Sequence, residues 1–194
     1  MLNVDFNKLA SLINANVQGA NATVNNPEDA KCDSSITVEA SKIFAVCEFL
    51  KTNKEMPFNS LQCVSGVDWV EFMEVCYMLA HFDVTNPREL ILKVKVTDRV
   101  APAVDSVVKV WAAANFQERE VYDMFGIKFN NHPDLRRILC PDDWQGWPLR
   151  KDYVAQKDYN GMAVYPDNKM NFEDREFIVR QDMIKKAQLA ASSN

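Results

Sequence analysis

The stretch Leu90-Ile91-Leu92-Lys93-Val94-Lys95-Val96-Thr97 decides the fold, because apolar Leu90, Leu92, Val94 and Val96 alternate with Lys93, Lys95 and Thr97. A period of two is the signature of a strand with one face buried and one wet. Upstream, Val70 to Phe82 is rich in Val, Phe, Tyr and Met and reads as a second strand. Only Asp83-Val84-Thr85-Asn86-Pro87-Arg88 separates the two, too short for a crossover helix, so they form an antiparallel hairpin. A sheet with one wet face needs helices on the other.

Working outward, Ser35 to Val38 reads as a short strand. It leads into a helix over 39–51, where Ala40, Ile43, Phe44, Cys47 and Leu50 recur at helical spacing. Phe58 to Val67 looks like a strand interrupted by Gly66. Near the start, Phe6, Leu9, Ala10 and Ile13 form one face of a short amphipathic helix, and the stretch from Gln18 to Ser35 is polar and turn-rich. After Pro102, the i, i+3, i+4, i+7 stripe of Val104, Val107, Val108 and Trp111 predicts a helix crossing the sheet. Asn115 and Glu118 then read as a capping box opening a helix over 116–125, with Val121, Met124 and Phe125 inward and Gly126 as its left-handed cap. The expectation is an α+β fold: a mainly antiparallel sheet with helices packed on one face, followed by an extended irregular C-terminal arm. Its divisions are a 1–126 α+β domain, a 127–155 docking segment and a 156–194 tail, whose residues 171–190, with Phe177, Ile178 and Ile184, have the spacing of a basic-ended amphipathic helix.

Composition excludes several functions. Of 194 residues, 22 are Lys or Arg and 27 Asp or Glu, a net charge of −5, which argues against a nucleic-acid partner. With 47% hydrophobic residues the protein builds a core, and a chain of this size buries around 70% of its extended surface. Its 5 glycines are dispersed, so neither a Walker loop nor a dinucleotide fingerprint exists. The 5 cysteines contain no C-x-x-C pair, which argues against a zinc or iron–sulfur site and fits a reducing compartment. His81 reads as structural and no nucleophile motif is present. The first residues have neither a basic n-region nor a long apolar run, so no targeting peptide and no membrane span are expected.

From Ile127 to Tyr153 the pattern changes. Pro133, Pro141 and Pro148 forbid a long helix or central strand, yet Phe129, Leu135, Ile138, Leu139, Trp144, Trp147 and Leu149 make the stretch sticky. A long irregular segment of this kind is usually functional, and aromatics with arginines match the make-up of an interface. The alternative is that it folds back on its own sheet. The charges before it also have two readings. Glu118, Glu120, Asp123 and His132 would serve as the acid–base groups of a free-standing enzyme. Helix geometry favours a structural account in which Arg119 and Asp123 are i, i+4 neighbours, Glu118 and Glu120 meet the helix dipole, and Arg136 and Arg137 pair with Glu120 or Asp123.

The run Glu118-Arg119-Glu120-x-x-Asp123-x-x-Gly126, continuing through His132-Pro133-Asp134-Leu135-Arg136-Arg137 to Trp144-Gln145-Gly146-Trp147-Pro148-Leu149-Arg150-Lys151-Asp152-Tyr153, strongly resembles the C subunit of respiratory complex I. That family is the C, or 30 kDa, subunit of NADH:quinone oxidoreductase, and the resemblance covers about residues 35–155. It implies a non-catalytic peripheral-arm subunit of a proton-translocating enzyme that binds no cofactor itself. NADH, FMN, iron–sulfur clusters and quinone belong to partner subunits. It implies docking on the D subunit, with the B subunit and other peripheral-arm subunits nearby, on the cytoplasmic side of the bacterial inner membrane. The clasp would be 127–153, with Trp144, Gly146, Trp147, Pro148, Leu149, Arg150, Lys151, Asp152 and Tyr153 as docking residues, and Trp144, Trp147 and Arg150 as buried anchors. Related subunits occur in F420H2 dehydrogenases and membrane-bound hydrogenases, which the resemblance separates poorly. One departure stands out: many members carry His where this sequence has Trp147, so packing replaces any titrating role there.

Overall fold

The computed structural model describes residues 4–25, 33–83 and 85–164, and the helix expected over 171–190 lies outside them. Two compact units make up the protein, Met1–Tyr153 and Val154–Asn194, so residues 127–153 belong to the same unit as the sheet.

The first unit is built on a five-stranded sheet of order β1-β2-β5-β4-β3. Its strands are β1 (Thr23–Asn25), β2 (Ser35–Val38), β3 (Ser60–Asp68), β4 (Met73–His81) and β5 (Arg88–Val96). The hairpin is present: β4 and β5 pair antiparallel from Met73 opposite Val96 to His81 opposite Arg88. Strand β3 extends the antiparallel sheet along β4, while β2 joins the other side of β5 in parallel. Alternation fixes which face is inward. Met73, Val75, Tyr77 and Leu79 of β4 and Leu90, Leu92, Val94 and Val96 of β5 are buried. A bulge between Leu61 and Cys63 keeps both Leu61 and Val64 on the core side, although they are three residues apart.

Helices cover that inner face. Helix α1 (Phe6–Asn16) starts where Asp5 accepts the Lys8 amide and buries Leu9, Ala10 and Ile13. A 3₁₀ turn at Ala40–Lys42 leads into α2 (Ile43–Thr52), which buries Ile43, Val46, Cys47 and Leu50. Helix α3 (Ala114–Phe125) ends at Gly126, whose φ of 71° is the left-handed cap the sequence announced. Its last residue lies on β3 at Gly66, where a Cβ would stand 2.6 Å from the Phe125 ring. Only a bare backbone lets the helix come this close.

Two local expectations fail. The stripe from Val104 to Trp111 is not a helix: β6 (Ala103–Asp105) pairs in parallel with β7 (Lys128–Asn130), and turns follow to Ala113. Nor is there a capping box: the residue before α3 is Ala113, which makes no side-chain cap. In the second unit the described residues form a two-residue hairpin, β8 (Asp158–Tyr159) with β9 (Met162–Ala163), through an Asn160-Gly161 turn with both φ positive.

Candidate functional site

The residues singled out from the sequence converge on α3 and the segment that follows β7. Asp123, fully buried on α3, sits in a nest of three successive amides: its Oδ2 accepts from Ile138 at 3.0 Å, Leu139 at 2.7 Å and Cys140 at 2.9 Å. Its Oδ1 accepts from Arg137 Nη1 at 2.7 Å. Burial by itself would raise the Asp123 pKa, but the three amides and the guanidinium outweigh it and hold the carboxyl below its usual range. Thus Asp123 pairs with Arg137 and not with its helix neighbour Arg119. The Arg119 guanidinium instead donates to the carbonyls of Arg136 at 3.2 Å and Arg137 at 3.4 Å, and stacks over Phe116. Arg136 pairs with Asp134 on the surface, and Glu120 is exposed.

The backbone then returns along α3 toward the sheet. The Trp147 indole lies where a Cβ on Gly126 would stand, meets the Tyr122 ring edge-on at 5.3 Å, and carries the Arg137 guanidinium 4.5 Å from its ring centre. Arg137 also donates to the Gly146 carbonyl at 2.9 Å. The Leu149 amide donates to Met124 O, and Arg150 donates to the carbonyls of Phe125 and Arg99. Finally the Lys151 amide donates to Asp68 Oδ2 at 2.9 Å, while Arg99 bridges Asp68 and Asp152. At Asp68 burial raises the pKa, but the Arg99 hydrogen bond and the Lys151 and Val70 amides prevail and bring it to about 2. Trp144 donates through Nε1 to the Tyr153 hydroxyl, and Gly146 lies under the Tyr153 ring. Pro133 is exposed, and Pro148 half-buried.

Trp147, Arg150 and the Lys151 backbone therefore hold the segment to its own body, and the large apolar side chains left outward on it, among exposed polar ones, are Leu139 and Leu149, 63% and 54% exposed. Sequence reasoning missed Asp68 and Arg99 as the far end of this fastening. Asp68 faces the core at the end of β3, opposite Met73, a position that no local pattern marks.

Glu118 and His132 do meet, but in the core. Both side chains are fully buried and Glu118 Oε2 is 4.0 Å from His132 Nε2. Glu118 Oε1 accepts the Val107 amide at 2.8 Å, which is why it cannot close a capping box. Burial pushes its pKa up to about 7, against the Ser106 hydroxyl and the Val107 amide. With Glu120 outside and Asp123 held by amides, the four groups of the acid–base reading do not form one open site. Among the described residues no three metal-ligating side chains converge.

Comparison with known proteins follows the same residues. Residues 36–159 match the family described as respiratory-chain NADH dehydrogenase, 30 Kd subunit. The NADH-quinone oxidoreductase C subunit of Geobacter sulfurreducens is 40% identical over 137 residues, 70% of this sequence and 83% of that protein. The C subunit of Chloroherpeton thalassium is 43% identical over 122 residues, 62% of this sequence, and the match spans only 50% of that relative's length. A fused C/D subunit of Phocaeicola vulgatus is 42% identical over 119 residues, covering 61% of this sequence and 22% of the fused protein. Among solved structures, a component of the membrane-bound sulfane sulfur reductase, an archaeal respiratory membrane complex, shares the fold with a TM-score of 0.61 at 22% identity, covering 86% of this sequence and 98% of that one. The matched span contains strands β3 to β5, most of β2 and the fastened segment on α3, and on that basis the protein belongs to the respiratory-chain NADH dehydrogenase 30 Kd subunit family.

Proposed function

We propose that this protein is a non-catalytic, cofactor-free subunit of a proton-translocating NADH:quinone oxidoreductase, and that it docks on the D subunit and helps hold the quinone-reducing module in place. NADH, FMN, iron–sulfur clusters and quinone are bound by its partners, with the B subunit among its neighbours. The complex sits on the cytoplasmic face of the bacterial inner membrane, to which this protein is attached through its partners; no helix among the described residues is long and apolar enough to cross a bilayer. The relatives' common name supports the reading, and the fused C/D protein supports the D subunit as partner.

The observation that carries it is the segment from Asn131 to Tyr153. It has no helix or strand, yet Asp123, Trp147, Arg150 and Asp68 fix it, and it turns Leu139 and Leu149 to solvent. Apolar side chains held outward on an ordered irregular backbone suit a preformed docking surface, since little ordering cost remains to be met on association. Leu139, Leu149 and the half-buried Trp144 are the partner-facing groups in this reading, whereas Trp147 and Arg150 set their positions. The test is capture of the D subunit by the full-length protein with Leu139→Asp and Leu149→Asp. Two buried charges in place of apolar contacts should weaken capture by at least tenfold, with roughly 2 kcal/mol for each hot-spot side chain. Undiminished capture by a folded double variant would place the interface elsewhere.

A further inference from the structure

Glu118 is the one buried carboxylate of the first unit that no arginine or lysine pairs with among the described residues. One oxygen accepts the Val107 amide; the other, Oε2, has no hydrogen-bond partner among the described residues. The groups facing it are Cys47 from α2, Tyr77 from β4, the Ser106 hydroxyl after β6, and His132 after β7, while Asp105 of β6 acts on Tyr77. None of these brings a fixed positive charge.

His132 does not supply one. Its Nδ1 accepts the Asp134 amide at 3.0 Å and so holds no proton, which puts the ring proton on Nε2, 3.1 Å from the Asn115 carbonyl. Both ring nitrogens are thereby committed, one to the first turn of α3 and the other to the start of Asp134–Arg137. The 4.0 Å contact with Glu118 is then a neutral imidazole beside an acid.

We propose that Glu118 is a proton-operated switch acting on the grip of α3 on the Asp134–Arg137 run. With a proton on Oε2, the neutral acid leaves His132 bonded to Asn115 and Asp134. When that proton leaves to solvent, the bare carboxylate draws the Nε2–H away from the Asn115 carbonyl, the ring turns, and Nδ1 releases the Asp134 amide. No partner protein is needed, so the switch is independent of the docking reading, and either can fail alone.

The experiment is carried out on the full-length ¹⁵N-labelled protein. The Asp134 amide and the His132 ring nitrogens are followed by NMR from roughly pH 5 to 8, in the wild type and in Glu118→Gln, which keeps an acceptor for Val107 and cannot ionise. The wild-type Asp134 amide should shift in one transition centred at about 7, with the ring remaining the Nε2–H tautomer; in Glu118→Gln the transition should vanish. A flat Asp134 amide in the wild type, a transition that survives in Glu118→Gln, or a His132 ring with protons on both nitrogens would overturn the proposal. Should Glu118→Gln fail to fold, infrared difference spectra of the wild type decide. Loss of a protonated carboxylic-acid band over the same pH range supports the switch, and its absence refutes it.

Discussion

Asp123 meets four donors with one carboxylate, three of them consecutive amides of a loop that has no secondary structure of its own. Replacing it by Asn removes the charge opposite Arg137 and turns an amide NH₂ toward backbone N–H groups. Asp123→Asn should cost about 3–5 kcal/mol in denaturant unfolding, and native-state hydrogen exchange should show the amides of 138–140 losing protection before those of β4. The pH dependence follows from the lowered carboxyl pKa: this stabilisation is complete above the ordinary value of 3.8 and is lost as the pH falls through the lower folded-state value. At Gly126, any Cβ would enter the Trp147 indole at a φ of +71°. Gly126→Ala should therefore cost about 3 kcal/mol, from left-handed strain plus overpacking, and shift the Trp147 indole N–H resonance in the NMR spectrum of the ¹⁵N-labelled protein. The family signature was readable at this scale, and so was the Arg137–Asp123 pair, one of the pairings the sequence offered; the pairing of Asp123 with its helix neighbour Arg119 does not form. Helical spacing made Arg119 the natural partner of Asp123; folding instead gives Arg119 to two loop carbonyls and Asp123 to Arg137, because a returning loop offers buried polar groups that must be satisfied.

Elements with strong local periodicity were legible: the β4–β5 hairpin, α2, α3 and its Gly126 cap all stand where alternation, helical spacing and a single glycine put them. The failure at β6 has a specific cause. Val104, Val107, Val108 and Trp111 fall on helical spacing, but Val104 belongs to a three-residue strand and Val107 to the turn after it. The partner strand β7 lies more than twenty residues further on, across α3. A parallel pairing of such separation leaves no local trace, and β-branched residues accept an extended backbone more readily than a helix. The β3–β4 turn carries a second feature that the sequence hides: Val70, an exposed β-branched residue, sits at φ +73°. Strain of this kind costs on the order of 1–3 kcal/mol. Val70→Gly loses little packing, so it should raise the thermal midpoint, with a gain of about 1 kcal/mol if the turn backbone is unchanged.

For the molecule as a whole, the segment 127–153 was expected to be either a clasp for another protein or a strap on its own sheet, and its side groups divide between the two tasks. Trp147, Arg137, Arg150 and the Lys151 amide turn inward to α3 and the sheet end. Leu139 and Leu149 turn outward. Whether this frozen irregular segment serves the D subunit is decided by side-chain hydroxyl-radical footprinting of the free protein against the assembled membrane complex. Leu139, Trp144 and Leu149 should lose reactivity on assembly while Trp147, already packed on Gly126, changes little. Equal labelling of Leu139 and Leu149 in the free protein and in the complex would contradict the docking role.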